Sequence, residues 1–222
     1  SDLKPAKFGQ VQNVIKPISD FGKFTSKNDF VNISIDARLK RGINVGGGFD
    51  TGRSLQDSCN VIDANQQKTF SLPLDASTAL GYCHVVTPFK AQTQYKVHGI
   101  IPIAGGFVAA LAWQNLSGPA VNALYSISGV IPGLGRTLSA GSKIVPIIAP
   151  QTVFEDRISR LDVRLSKIFR VNKLKVQANL DAYNALNANS VRSVNAAWGP
   201  QWRTPTQILD PRIVQLGGTI TF

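Results

Sequence analysis

The groups in this 222-residue sequence that could do acid–base chemistry are spread along alternating stretches and do not converge. His84 and His98 are the only histidines, and His98 falls on the polar parity of its stretch. Asp36, Asp50, Asp162 and Asp181 also fall on polar parities, and Arg38, Arg164 and Lys175 are candidate cross-strand partners for them. Such a pattern wires a wet surface with ion pairs. No Ser-His-Asp arrangement has a supporting local motif, and no His, Cys, Asp or Glu set has metal-ligand spacing. No catalytic residue, metal ligand or cofactor is therefore assigned, and the chain does not read as an enzyme. Gly46-Gly47-Gly48 mimics a phosphate-binding loop only superficially, because it lies inside a strand and not before a helix. Its missing side chains point to a bend or to close packing.

Cys59 and Cys83 flank a segment rich in polar and turn residues. In an oxidising compartment such a pair forms a disulfide closing one loop, worth about 3 kcal/mol by loop-closure entropy. Trp198, Trp202 and Arg203 share another loop, where they either stack on a ligand or pack at a rim.

The elements that must position these residues are strands. Over residues 30–39, Val31, Ile33, Ile35, Ala37 and Leu39 alternate with Asn32, Ser34, Asp36 and Arg38, which is period two. Lys40-Arg41-Gly42 turns the chain into a second strand, 43–50. Residues 89–102 and 106–117 make the next hairpin, with Val108, Ala110 and Ala112 blurring the alternation of its second strand. Residues 160–169 and 174–183 make the third, turning at Val171-Asn172-Lys173. Residues 212–222 close the chain, with Val214, Leu216, Gly218, Ile220 and Phe222 on one parity and Gln215, Gly217, Thr219 and Thr221 on the other. Residues 1–29 read as a long irregular loop segment with room for one short strand, and 52–88, 118–156 and 187–211 as long loops.

No apolar run of about 18 residues is present to form a membrane helix, but barrel strands hide from hydropathy scans. The balance of 24 Lys and Arg against 13 Asp and Glu gives a formal charge of +11. The basic residues are dispersed and not clustered with exposed aromatics, which argues against nucleic acid. The sequence opens on Ser1-Asp-Leu-Lys-Pro5 without a signal-peptide pattern and reads as a mature or partial chain.

Connections alternate strictly between very short and long, and strands run about ten residues, as in outer-membrane barrels with short periplasmic turns and long extracellular loops. The expected fold is an all-β, antiparallel transmembrane β-barrel segment of about seven or eight strands of a larger barrel. Residues 1–29 would be an extracellular loop segment and 30–222 the barrel strands and loops. A terminal aromatic such as Phe222 suits a lipid interface.

The runs Arg160-Leu-Asp-Val-Arg-Leu-Ser-Lys-Ile-Phe169, Val176-Gln-Ala-Asn-Leu-Asp-Ala-Tyr-Asn-Ala-Leu-Asn187 and Trp198-Gly-Pro-Gln-Trp-Arg-Thr-Pro205, with Pro211-Arg212 and the strand to Phe222, resemble the C-terminal end of a TonB-dependent outer-membrane receptor. Residues 32–39 and 46–59 resemble preceding strands of the Oar-like members with a carboxypeptidase-regulatory-like domain. The resemblance implies a barrel of about 22 strands in a bacterial outer membrane, plugged by an N-terminal domain and importing a scarce nutrient. It also implies that Leu216, Ile220 and Phe222 form the signal read by the barrel-assembly machinery. The implied partners are outer-membrane lipid and lipopolysaccharide, the remaining barrel strands or a complementary barrel chain, and TonB through an N-terminal region. The chain departs from the pattern in strand number, since an odd count cannot close the usual antiparallel barrel. Two other expectations stand beside uptake: a structural, scaffold or adhesion barrel subunit, and a soluble secreted β-protein binding an anionic polymer.

Overall fold

The computed structural model describes residues 15, 17–20, 22–61, 82–133, 135–172 and 174–222. Period-two alternation folds the first hairpin from β1 (Gly22–Arg38) and β2 (Asn44–Val61). They join through the single-turn segment Lys40–Gly42, where Arg41 (φ 62°) and Gly42 (φ 77°) are left-handed. β3 (His84–Thr87) pairs with the upper half of β2. A four-residue helix, Phe89–Gln92, then leads into β4 (Gln94–Ile103), which turns at Ala104–Gly106 into β5 (Phe107–Leu116). A small hairpin of β6 (Leu124–Ile131) and β7 (Arg136–Pro146) follows. β8 (Ile158–Val171) and β9 (Leu174–Tyr183) form the third large hairpin. The short ribbon of β10 (Val191–Val194) and β11 (Pro205–Ile208) precedes β12 (Ile213–Thr221).

The fold is all-β and antiparallel. Its main sheet runs β1-β2-β4-β5-β8-β9-β12, with β3 added beside β2. Each strand in this path hydrogen-bonds to the next one along it, so tight turns gather at one end and long connections at the other. Seven strands in the path leave β1 and β12 at opposite edges, running in the same direction and not paired with each other. Among the described residues the sheet is open and forms no closed barrel.

Several boundaries differ from the sequence reading. β1 begins at Gly22, eight residues before the alternation becomes visible, because β2 extends to Val61 and offers backbone partners as far as Gly22. Residues 1–14, 16 and 21 of the expected irregular segment, 62–81 of the expected loop, and Lys173 of the third turn lie outside the described residues. Phe89–Gln92 is helical, following Pro88, and not the start of a strand. The long segments 118–156 and 187–211 carry hairpins of their own.

Register sorts the side chains into rows. Ala37, Val45, Gly99, Leu111, Val163, Ala182 and Val214 stand opposite one another across all seven strands. Ile101, Ala109, Leu165, Leu180 and Leu216 form the next row towards the tight turns. These rows share one face of the sheet, on which Leu216 is 80% exposed. The buried apolar core instead lies among the long connections, at Val121, Ala123, Val145 and Leu209. Backbone hydrogen bonds stitch those connections together, from Val121 N to Val153 O (2.9 Å), Leu124 N to Ala196 O (2.8 Å) and Trp198 N to Leu124 O (2.8 Å).

Candidate functional site

The polar face of the sheet carries the titratable groups. Asp36, Gly46, His98, Ala112 and Asp162 occupy one row across β1, β2, β4, β5 and β8. His98 Nε2 lies 3.4 Å from Asp36 Oδ1, although a strand separates them. They meet because Gly46 has no side chain; a Cβ there would lie 2.7 Å from the His98 ring and would overlap the Asp36 carboxylate. One step towards the long connections, Lys96 Nζ is 3.8 Å from Asp50 Oδ2, and Asn32 also donates to Asp50. Gly48, also on β2, packs against Ile33 O of β1, which a Cβ would meet at 3.2 Å. The glycine run thus marks close packing, as its place inside a strand led us to expect.

The row below holds Arg164 and Asp181, directly opposite and joined through both carboxylate oxygens, with Arg164 Nη2 3.1 Å from Oδ2. Asp181 is 5% exposed. Ser166 Oγ donates to Asn179 Oδ1 at 2.7 Å, and Gln177 Nε2 donates to the same oxygen at 2.9 Å. Arg160 Nε pairs with Asp162 along its own strand at 2.8 Å. A depression of about 220 Å³ opens over Ala110 and Ala112, bounded by Asp162, Arg164, Asp181 and Tyr183. Of the expected pairings, Arg164 with Asp181 forms. Asp36 takes His98, Asp50 takes Lys96 and Asp162 takes Arg160, whereas register sets Arg38 opposite Asn44 and Lys175 opposite Arg170. Each of these four carboxylates thus has a basic side chain beside it. Among the described residues no three His, Cys, Asp or Glu side chains are grouped to hold a metal ion.

The opposite, apolar face is graded along the strands. At its long-connection end Phe49 and Tyr95 pack at 5.2 Å, and Trp113 donates its indole N–H to Ser159 Oγ at 3.1 Å. Just above them Thr51 and Thr93 share a hydrogen bond of 2.8 Å. There Arg157 lies 5.5 Å from the Tyr95 ring centroid. At the tight-turn end Lys167 interrupts the apolar parity. Its ammonium sits 4.1 Å from the Phe107 centroid and 5.6 Å from that of Phe169, and donates to Gly105 O. The stem follows the apolar surface while the charge reaches the turn.

Cys59 and Cys83 are bridged, with Cα atoms 4.8 Å apart, where β2 meets β3. Beside them His84 Nδ1 is 3.0 Å from Asp57 Oδ2. That hydrogen bond, followed by one from the Cys59 N–H, holds the Asp57 carboxyl below its ordinary value. Trp202 donates its indole N–H to Asn122 O at 2.9 Å and packs on Trp198 at 4.8 Å. Arg203 Nε donates to Glu155 at 2.7 Å, which raises its already high pKa. Trp202 and Arg203 thereby tie the last long connection to its neighbour, and Trp198 stays half exposed. Leu216 and Ile220 lie exposed on β12, whose outer edge has no partner strand among the described residues, and exposed Phe222 follows them.

Two residues of consequence carried no sequence signal of their own. Asn184 (φ 47°) is 3% exposed and binds both backbone atoms and side chains around the base of the last long connection. Arg157 belonged to a dispersed basic series until folding set it over Tyr95. Compared with known proteins, the chain matches no family model, no curated protein and no solved structure.

Proposed function

We propose that this chain is part of an outer-membrane β-barrel of the TonB-dependent-receptor type, serving uptake of a scarce nutrient across a bacterial outer membrane. The observation that supports the reading is the apolar face: across seven strands one face carries rows of Val, Leu, Ile, Ala and Gly, while the opposite face is mostly polar and carries the salt bridges. Soluble monomers rarely leave an apolar patch larger than a few hundred Å² uncovered. Aromatic residues at both ends of this face, with polar groups beyond them, suit a bilayer slab and its interfaces. Tyr95 to Ile103 spans nine residues, or eight steps of about 3.4 Å, about 27 Å of strand. A tilt of roughly 40° reduces that to about 20 Å, commensurate with an apolar band of about 25 Å.

The polar face would line a wet lumen, and the disulfide end would face outside, where oxidised cysteines persist. Because the two edge strands run in the same direction, all-antiparallel closure takes an odd number of further strands, from this polypeptide or a complementary chain. Leu216, Ile220 and Phe222 would serve as the terminal signal for barrel assembly, and energy would arrive from TonB through an N-terminal region.

A scaffold or adhesion barrel is the second reading. It is favoured by the β6–β7 hairpin, which displays Tyr125, Val130 and Ile144 at the long-connection end. Removing residues 126–144 from the native protein separates the two: uptake survives if the hairpin only adheres.

The membrane reading is tested by spin labels placed one at a time from Val176 to Ala182 in lipid-reconstituted protein. Labels at Val176, Ala178, Leu180 and Ala182 should collide with oxygen, and those at Gln177, Asn179 and Asp181 with a water-soluble nickel chelate. Uniform exposure to the chelate would instead favour a soluble protein binding an anionic polymer.

A further inference from the structure

The apolar face is not uniformly filled. Where β2 passes between β1 and β4, Gly47 stands opposite Ile35 on one side and Val97 on the other, and its missing side chain leaves a groove of about 470 Å³. The groove runs from Val45 to Phe49, about 13 Å of strand. Its lining is aliphatic and aromatic, with Ile35, Val97 and Trp113 as walls. The floor is held open by backbone: a Cβ on Gly47 would lie 2.7 Å from Lys96 O.

Tyr95 closes the upper end, and the Arg157 guanidinium sits 5.5 Å from its ring centroid. Arg157 is fixed by neutral acceptors, with Nη2 2.8 Å from Thr93 O and 3.1 Å from Asn115 O. None of the ion pairs among the described residues includes it. An immobilised cation outside those ion pairs therefore crowns an apolar slot on the same face of the sheet. Arg53 stands on that face of β2 as well, four residues beyond Phe49.

We propose that this groove is a lipopolysaccharide site, with one acyl chain laid over Gly47 and a phosphate of the lipid's head at Arg157. Arg157 Nε donates to Asn115 Oδ1 and Nη2 to Thr93 O and Asn115 O, so Nη1 is the nitrogen left to reach a phosphate oxygen, and a preset arginine loses little freedom on binding. The inference rests on the membrane reading, since the groove lies at the disulfide end, which that reading turns outward. That position selects the phosphorylated glycolipid of the outer leaflet over glycerophospholipid.

The test reconstitutes the native protein in phosphatidylcholine nanodiscs and titrates in bis-phosphorylated lipid A, lipid A stripped of phosphate, or phosphatidylglycerol, reading bound lipid by native mass spectrometry. Bis-phosphorylated lipid A should bind at least tenfold more tightly than either alternative. Arg157→Gln should lose tenfold or more. Val97→Trp, which fills the groove and leaves Arg157 in place, should lose as much with the melting temperature held. Leu165→Phe, on the same face outside the groove, should bind like the native protein. Undiminished binding by Val97→Trp overturns the site, as does equal binding of stripped lipid A, and a preference for phosphatidylglycerol overturns the choice of lipid. If the spin labels report a membrane-embedded sheet and lipid A still shows no preference, the site alone is wrong. If the labels report no embedding, the failure belongs to the membrane reading.

Discussion

Asp36 and His98 approach to 3.4 Å across a strand that separates them, above a glycine that belongs to neither of their strands. The contact exists because Gly46 is empty, and the neighbouring Gly47 is empty for a different reason. Above Gly46 lie the ends of two side chains, whereas next to Gly47 lies the carbonyl oxygen of Lys96.

Gly47→Ala is therefore expected to destabilise the protein more than Gly46→Ala. At Gly46 the carboxylate and imidazole can swing aside, and a largely exposed pair is worth at most about 1 kcal/mol. At Gly47 the backbone must shift, at a cost of about 1–3 kcal/mol. Urea unfolding of both variants in lipid ranks them, and an equal or reversed order would refute the account. In an Asp36→Ala/His98→Ala background the cost of Gly46→Ala should shrink further.

Asn184 should be among the most sensitive positions outside the sheet. Its Nδ2 donates to Ala188 O and Asp210 O, each at 2.8 Å, its Oδ1 accepts Ala188 N, and its own N–H donates to Asp162 Oδ1. Asn184→Ala removes the side-chain bonds and places an unfavourable residue in the left-handed region, for a loss of about 2–4 kcal/mol. Asn184→Gly restores backbone freedom but not the bonds, so its melting temperature should fall between those of the native protein and Asn184→Ala.

Acid should loosen the upper end of β2, beyond the apolar band. The folded Asp57 carboxyl titrates below the unfolded value of 3.8, chiefly because of its bond to His84. A lowered folded pKa contributes stability that is present above the unfolded value and is lost as pH falls through the folded one. Amide protection at His84–Thr87, corrected for the intrinsic pH dependence of exchange, should fall below about pH 4, and Asp57→Asn should abolish that acid step. A step that persists in Asp57→Asn would assign it to another carboxyl.

Removing the bridge by Cys59→Ser/Cys83→Ser should cost about 3 kcal/mol in loop-closure entropy. Calorimetry of the double variant measures it. Exchange should rise most at β3, which the bridge holds against β2.

Period-two alternation is a local property, and it made the large strands legible because each residue's parity needs no knowledge of its partner. The three tight turns were legible too, and with them the three large hairpins and a count of about seven or eight strands. Alternation was silent for residues 22–29, which become strand only because β2 is long enough to pair with them. It was equally silent for the hairpins inside the long connections, where Gly, Pro and Ser dilute the pattern. Asp36 on a polar parity announced a cross-strand polar partner, but which one depended on the register of two other strands and on a side chain missing between them. The sequence by itself determined which faces are apolar and where the chain reverses. Only the tertiary structure decided that His98 meets Asp36, that Arg157 stands over Tyr95, and that Gly47 opens a groove, because each depends on backbones brought side by side from distant parts of the chain.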